Sequence, residues 1–406
     1  MARVEIVAPA APRLRLVAPR EAVHRPRSRT KVAARRNLTM LIGSTAFLTA
    51  GGLIMVLSAS SVSAYAQYGS SFLFFQRQAV YAVVGAAALV VTSRMRYEAW
   101  QRLAVPLLGF TAVLLALVLH PTAGIEAYGS SRWISLGPVT IQPSELAKLA
   151  LVVFAATVLA RKWSRMDEPA HFALPLLPVT ALVCGMVIVQ PDLGTAVILA
   201  GSVFLLVFAA GLRLRYLAAA GIVGGAIGFA LIMGEGYRRA RFLSFLHPWA
   251  DAKNTGYQLI QSLIALGSGG WFGVGLGTSR QKWMYVPNAH TDFIFSILGE
   301  ELGLIGEIVV LLAFGVLIYA GIRIAARAPD VFGRLLASGI VSWFGLQIVV
   351  NLGAVTGLLP ITGVPLPMLS YGGSSLVVSL AAVGILVNIG KAGRPASPIA
   401  RAGRTP

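Results

Sequence analysis

Cysteine is nearly missing from these 406 residues. Cys184 is the only one, so no intrachain disulfide, CxxC redox pair or thiolate metal site can be built. It lies in the apolar run Leu182 to Val189 and says nothing about redox compartment. Acidic side chains are also scarce, 15 Asp and Glu against 34 Lys and Arg, which leaves a net charge of +19. Charged residues of both signs make up only 12% of the chain, while 56% is hydrophobic and the mean hydropathy is +0.76. That excludes an ordinary soluble fold, which could not hide so much apolar surface from water. The positive charge would suit nucleic acid if it gathered on one folded face, but it is scattered between apolar runs. No internal repeat and no second soluble domain are visible.

What is present is a series of long apolar stretches. A helix rises about 1.5 Å per residue and the hydrocarbon layer is about 30 Å thick, so runs of roughly 17 to 25 apolar residues are candidate spans. Ten occur, at about 39–60, 73–93, 103–120, 145–160, 172–189, 194–212, 216–234, 292–320, 335–358 and 372–390. Two are weak: the second carries Gln76, Arg77 and Gln78, and the fourth carries Glu145 and Lys148. Lys and Arg test the count, because they collect on the cytoplasmic side. Counting both ends and every second loop, 25 of the 34 basic residues fall on one side. The expectation is an all-α integral membrane protein of about ten transmembrane helices with both termini cytoplasmic. Residues 1–38, rich in Pro, Ala and Arg, read as a disordered basic arm that orients the chain and meets anionic lipid. A cleaved signal peptide fits poorly, since the first apolar run is too long. The transmembrane domain then covers 39–391, and 392–406 form a cytoplasmic tail.

This orientation puts the loop 235–291, between helices 7 and 8, outside, where a segment of such length is usually functional. Tyr257 to Leu266 suits a helix in the interface. Gly269 to Gly277 follows, then Arg280, Gln281 and Lys282. Converging backbone amides with Arg280 and Lys282 would suit an anion, though a close-packed glycine turn explains the same residues. The outward carboxylates are Glu126, Asp192, Glu235, Asp251 and Asp292, with Glu145 close to the same surface. Asp292 opens the eighth span, on a face shared with Ser296, Gly299, Gly303 and Gly306. Desolvation there would raise its pKa and suit it to base catalysis, although a helix-start acid favoured by the macrodipole accounts for it too. Glu300 and Glu301 read as packing or orientation residues. Glu145 and Lys148, three apart, are neighbours on one helix face and would position rather than stabilise. Arg132 and Trp133 add a cation and an aromatic that alone would be an interface anchor. Leu359 to Ser375 is apolar yet too rich in Pro and Gly for helix, and irregular backbone at membrane depth must wall a cavity or be enclosed by protein.

Together these stretches resemble the shape, elongation, division and sporulation family, the FtsW/RodA proteins, over about residues 39–391. The resemblance rests on Met55 to Ser61, Arg132-Trp133-Ile134, Gln142 to Lys148, Gln190 to Thr195, the glycine loop with Gln281-Lys282, His290 to Phe295, and Pro365 to Ser375. The first-span motif, the Gly-Leu-Gly-Thr-Ser-Arg-Gln-Lys loop and the long basic arm lean towards the division branch. The resemblance implies a peptidoglycan glycosyltransferase that polymerises lipid II at the outer face of the cytoplasmic membrane, at the division septum. Its implied partners are a class B penicillin-binding protein and other divisome membrane proteins. Asp292 matches the family's essential acid, as general base for the acceptor 4-hydroxyl or as a ligand of a divalent cation, Mg or Mn. Trp133, Glu145, Lys148 and Asp192 match sensitive positions, and His290 belongs to the motif. Arg280, Lys282 and Arg132 are the expected cations for the leaving diphosphate. Asn288 departs from the Glu that many members carry there. A lipid II flippase or transporter and a non-catalytic scaffold are the rival classes, and an elongation polymerase is the rival branch within the family.

Overall fold

The computed structural model describes residues 27–393 except 121–123, 128–129, 138, 167, 284 and 288. Twelve α-helices follow in chain order: α1 Arg27–Tyr68, α2 Leu73–Arg94, α3 Glu98–Val118, α4 Pro143–Arg161, α5 Pro169–Val189, α6 Leu193–Ala209, α7 Leu214–Met233, α8 Gly236–Leu246, α9 Tyr257–Ser268, α10 Ile294–Ala325, α11 Val331–Val355 and α12 Gly373–Ala392. Among the described residues, nine helices are long and apolar enough to cross a membrane, and α6, apolar but 17 residues long, corresponds to the tenth expected span. The chain is an all-α multi-pass membrane protein. Helix already begins at Arg27, inside the stretch expected to be an unstructured arm; the arm's first 26 residues, the tail from residue 394 and Asn288 lie outside the described residues.

The two weak spans are weak for structural reasons. In α4 Glu145 and Lys148 are buried, because this helix packs among α3, α5, α6 and α11 rather than facing lipid. In α2 the buried Gln78 donates from Nε2 to the Ser370 carbonyl (3.2 Å), and its Oε1 accepts from the Gly372 amide (3.2 Å). Without lipid-soluble backbone pairing, residues 358–372 need such partners. Gln347 Nε2 donates to the Pro365 carbonyl (2.7 Å) and Asn351 Nδ2 to that of Val364 (2.7 Å). Small residues bring helices close in lipid: a Cβ at Gly384 of α12 would collide with Thr92 Oγ1 and the Leu89 carbonyl of α2. By contrast α7 buries only Leu217 and stands at the edge, against α6 and α8.

Between α3 and α4 three short strands, β1 Gly124–Ala127, β2 Ser130–Leu136 and β3 Val139–Ile141, form an antiparallel sheet in the order β1-β2-β3, with Ile125 opposite Trp133 and Ile134 opposite Ile141. The sheet is tied to the bundle where the Thr140 amide donates to the Tyr81 hydroxyl (3.3 Å) and the Gln142 amide to Ser374 Oγ (3.0 Å). Sequence periodicity gave no sign of it, since the strands are short.

Candidate active site

A cavity of about 520 Å³ opens between the sheet, the α5–α6 turn, α8, the approach to α10 and the irregular segment before α12. Arg132, Trp133, Glu145, Asp192 and Asp292 all line it, although they are up to 160 positions apart in sequence. Its floor and sides are apolar in part, with Val197, Ile232, Phe242, Val350 and Ile361. Residues 359–365 and 371–375 supply much of the wall, the role their irregular backbone suggested.

Asp292 stands two residues before α10 begins, so it is not bound to the helical face of Ser296. That face is occupied instead by α9, where Ser262 and Ser296 hydroxyls meet at 2.7 Å. The Asp292 carbonyl accepts from Asn351 Nδ2 (2.8 Å), which fixes the backbone, and Oδ1 accepts from Thr291 Oγ1 (2.9 Å). Burial raises the carboxyl's pKa; the Thr291 hydroxyl and the charge of Arg241 pull the other way but do not cancel it. The bare backbone of Gly363 faces the second oxygen, a Cβ there coming 3.9 Å from Oδ2. The arrangement suits a carboxylate that takes up a proton.

Glu145 is held from behind. Lys148 Nζ donates to its Oε1 (2.9 Å), lies 2.8 Å from its Oε2 and donates to Gln347 Oε1 (3.0 Å), an oxygen that also accepts from Trp343 Nε1 (2.7 Å). The ammonium lies 5.4 Å from the Trp343 ring centre. Lys148 therefore reaches the cavity only through Glu145. Asp192 caps α6, accepting from the Thr195 amide at 3.1 Å, and its Oδ1 is 4.0 Å from Arg132 Nη1. Arg132 also donates to the carbonyls of Gln190 (3.2 Å) and Pro191, so much of its donor capacity is committed to the α5–α6 turn.

Three expected residues lie elsewhere. Arg280 and Lys282 do not line the cavity. The Arg280 amide donates to Glu300 Oε1 (2.9 Å), and Lys282 Nζ donates to the Gly277 carbonyl and stands 3.6 Å from Glu301. Glu300 and Glu301, both buried, lash the glycine loop to α10, and Glu301 reaches α1 through Ser58 Oγ (2.6 Å). The loop thus packs as a turn whose amides at 279–281 and whose Lys282 are taken up by Glu300 and Glu301, while the Arg280 side chain stays exposed. His290 lies tilted against Phe74 (4.7 Å between centres) and meets Tyr371 edge-on (5.5 Å), and burial lowers its pKa to about 4. It shapes the approach to Asp292 from outside the lining. In place of Arg280 and Lys282, the cavity is lined by Arg238 and Arg241 of α8. Arg241 packs on the Tyr237 ring (4.6 Å), and Arg238 reaches the carbonyl of Leu231 at 3.4 Å. Sequence reasoning missed them: six basic residues share the loop 235–291, and only their amphipathic spacing on an interfacial helix could have singled these out. As to a cation, no group of three or more His, Cys, Asp or Glu side chains comes together among the described residues. The described residues alone do not supply a cation cage at Asp292.

Comparison with known proteins gives consistent relatives. The cell cycle protein family of FtsW, RodA and SpoVE matches residues 38–394. The probable peptidoglycan glycosyltransferase FtsW of Geobacter metallireducens is 45% identical over 359 residues, 88% of this chain and 96% of the relative. The stage V sporulation protein E of Bacillus subtilis is 42% identical over 87% of this chain and 97% of its own length. Among solved structures, a chain of a peptidoglycan synthase complex that coordinates polymerization and crosslinking superposes with a TM-score of 0.71 at 34% identity, over 86% of this chain and 96% of that one. The rod shape determining protein RodA of Thermus thermophilus gives a TM-score of 0.63 at 32% identity, over 87% and 96%.

Proposed function

We propose a function from one premise: this chain belongs to the FtsW/RodA/SpoVE family of cell cycle proteins. It is a peptidoglycan glycosyltransferase, and its substrate is lipid II, met at the outer face of the cytoplasmic membrane. The observation that carries this reading is the single cavity wall on which a desolvated carboxylate, Asp292, and two interfacial arginines, Arg238 and Arg241, meet an apolar floor. Glycosyl transfer from a lipid diphosphate requires a base, counter-charge for the leaving group and a path for a prenyl chain.

Asp292 is the catalytic residue. The acceptor's 4-hydroxyl gives its proton to the Asp292 carboxylate as its oxygen bonds to the donor's anomeric carbon. The bond from that carbon to the diphosphate oxygen breaks, and the lipid diphosphate leaves with the electron pair. Arg238 and Arg241 receive its charge. Arg132 and Asp192 hold the α5–α6 turn, Trp133 offers a ring to a sugar face, and the Glu145–Lys148 pair positions the wall opposite. No step of this scheme runs through a cation. A class B penicillin-binding protein that crosslinks the strands is the proposed partner, as befits the likeness to a chain of a synthase complex that coordinates polymerization and crosslinking. The division septum, with other divisome membrane proteins, is the proposed place of action, and residues 39–391 the working domain.

The test is polymerisation of lipid II by the purified protein with its partner, the partner's own transferase chemistry being excluded. Asp292→Asn and Asp292→Ala are expected to lower the rate by at least about 100-fold, the lower range for a lost acid–base group. Unchanged polymer yield in both would remove the enzymatic reading, and lipid II transport between leaflets retained in the same variants would point to a flippase.

A further inference from the structure

We propose that the end of α10 remote from Asp292 carries a second binding site, for the phosphate of an anionic phospholipid headgroup in the leaflet opposite the cavity. Beyond its break at Gly303, α10 carries the chain about 33 Å further, so this corner is separate from the active site.

Arg323 stands in the last turn of α10, and Arg327 in the turn that follows the helix end. Nε of Arg323 and Nη1 of Arg327 are shut off from water, and neither has a hydrogen-bond partner among the described residues. An arginine that merely orients a span keeps its head group in water at the interface. Here one donor of each half-buried guanidinium is shielded from water and unpaired among the described residues, which leaves both groups short of a counter-charge. The acids of this corner are already committed. Asp330 caps α11, accepting from the Gly333 amide at 2.7 Å, and Glu98 lies 3.5 Å from Arg96.

The surroundings favour a lipid. The Arg323 guanidinium lies 6.0 Å from the ring centre of Tyr319, a side chain 46% exposed on the bundle's outer face. On the other flank α12 packs close, a Cβ at Gly390 coming 3.4 Å from the Ile324 side chain, and Lys391 follows as a third cation. A planar guanidinium presents paired N–H groups that match two oxygens of a phosphate. A headgroup phosphate would pair with the N–H groups of the two half-buried guanidinia that remain accessible, while its acyl chains lay along the exposed side of α10.

The experiment uses the full chain in detergent, with native mass spectrometry reading adducts of dioleoyl phosphatidylglycerol and dioleoyl phosphatidylcholine. Phosphatidylglycerol is expected to be retained over phosphatidylcholine, and Arg323→Gln with Arg327→Gln to cut its retention about tenfold, a loss of about 1.4 kcal/mol. Arg96→Gln, which removes an exposed cation, is expected to leave it unchanged. Equal retention by the double variant, or an equal loss in Arg96→Gln, overturns the site. If millimolar inorganic phosphate raises the melting temperature of the parent but not of the double variant while phosphatidylglycerol does not, the ligand is free phosphate and the lipid assignment fails. If the Gln pair does not fold, Arg323→Lys with Arg327→Lys keeps the charge and loses the fork. Reduced retention is then expected, and retention equal to the parent overturns the proposal.

Discussion

Asp292 can accept a proton only when ionised, and burial raises its pKa above the usual carboxylate range. The rate of polymerisation is therefore expected to climb with pH through the raised value, placing the acid limb of the kcat/KM profile above about pH 4. A limb at or below that value would count against Asp292 as the base. His290 moves the other way. Its folded pKa of about 4 lies below the usual 6.5, so the unfolded chain binds a proton first as pH falls. Stability owed to the neutral ring is complete above pH 6.5 and is lost progressively between 6.5 and 4. Melting temperatures across the same range separate that loss from the titration of Asp292, and His290→Phe, which keeps a ring against Phe74 and Tyr371, is expected to abolish the decline. At this scale Asp292 was legible from the sequence, because an acid at the mouth of an apolar run is expensive unless it is used. Arg238 and Arg241 were not legible, since nothing in a list of basic loop residues tells which of them a fold turns inward.

Among the elements, α10 is unusual. Its first turns, after Asp292, end at Gly303, which has φ 66° and ψ −171°, a conformation open essentially to glycine alone. The break lets the glycine loop dock: the Val274 amide donates to the Glu300 carbonyl (2.9 Å), Gly275 to that of Glu301 (3.0 Å), and Leu304 to that of Gly270 (2.9 Å). A Cβ at Gly303 would also strike the amides of Gly273 and Phe272. Gly303→Ala is expected to destabilise the protein by about 1–3 kcal/mol from the backbone alone, and to free the loop to trypsin at Arg280 and Lys282. Wild-type melting and an unchanged digest would show that the kink is dispensable. The Gly303 position was read from the sequence as part of a small helical face for Asp292. The packing is different because Asp292 precedes the helix and the small residues receive α9 and the loop. Glu300 and Glu301, read as packing residues, do pack, but their partners on α1 and in the loop are more than 18 residues away along the chain and no local pattern announces them.

For the whole molecule, the polar chain from Glu145 through Lys148 and Gln347 to the Pro365 carbonyl crosses from α4 to α11 to the irregular segment. Removing only one charge leaves the other buried and alone, so Lys148→Met is expected to cost about 3–5 kcal/mol. Glu145→Gln combined with Lys148→Met is expected to recover part of that in thermal unfolding, with activity still lost because the wall has moved. Additive losses in the double variant would mean that the two side chains do not act as a pair.

Hydropathy and the spread of basic residues determine by themselves that this chain lives in a membrane with about ten spans, because span length follows from the thickness of the hydrocarbon and needs no tertiary information. The family motifs likewise marked Asp292, Glu145, Lys148 and Asp192 as residues of interest. Only the tertiary structure decided which of them share a cavity, that Lys148 serves it from behind, that Arg280 and Lys282 are bound into a turn, and that α8 brings the replacement cations. Those outcomes depend on contacts between segments far apart in sequence and on who neutralises whom once water is excluded. A linear pattern records the presence of a charge, whereas its partner is chosen by the packing.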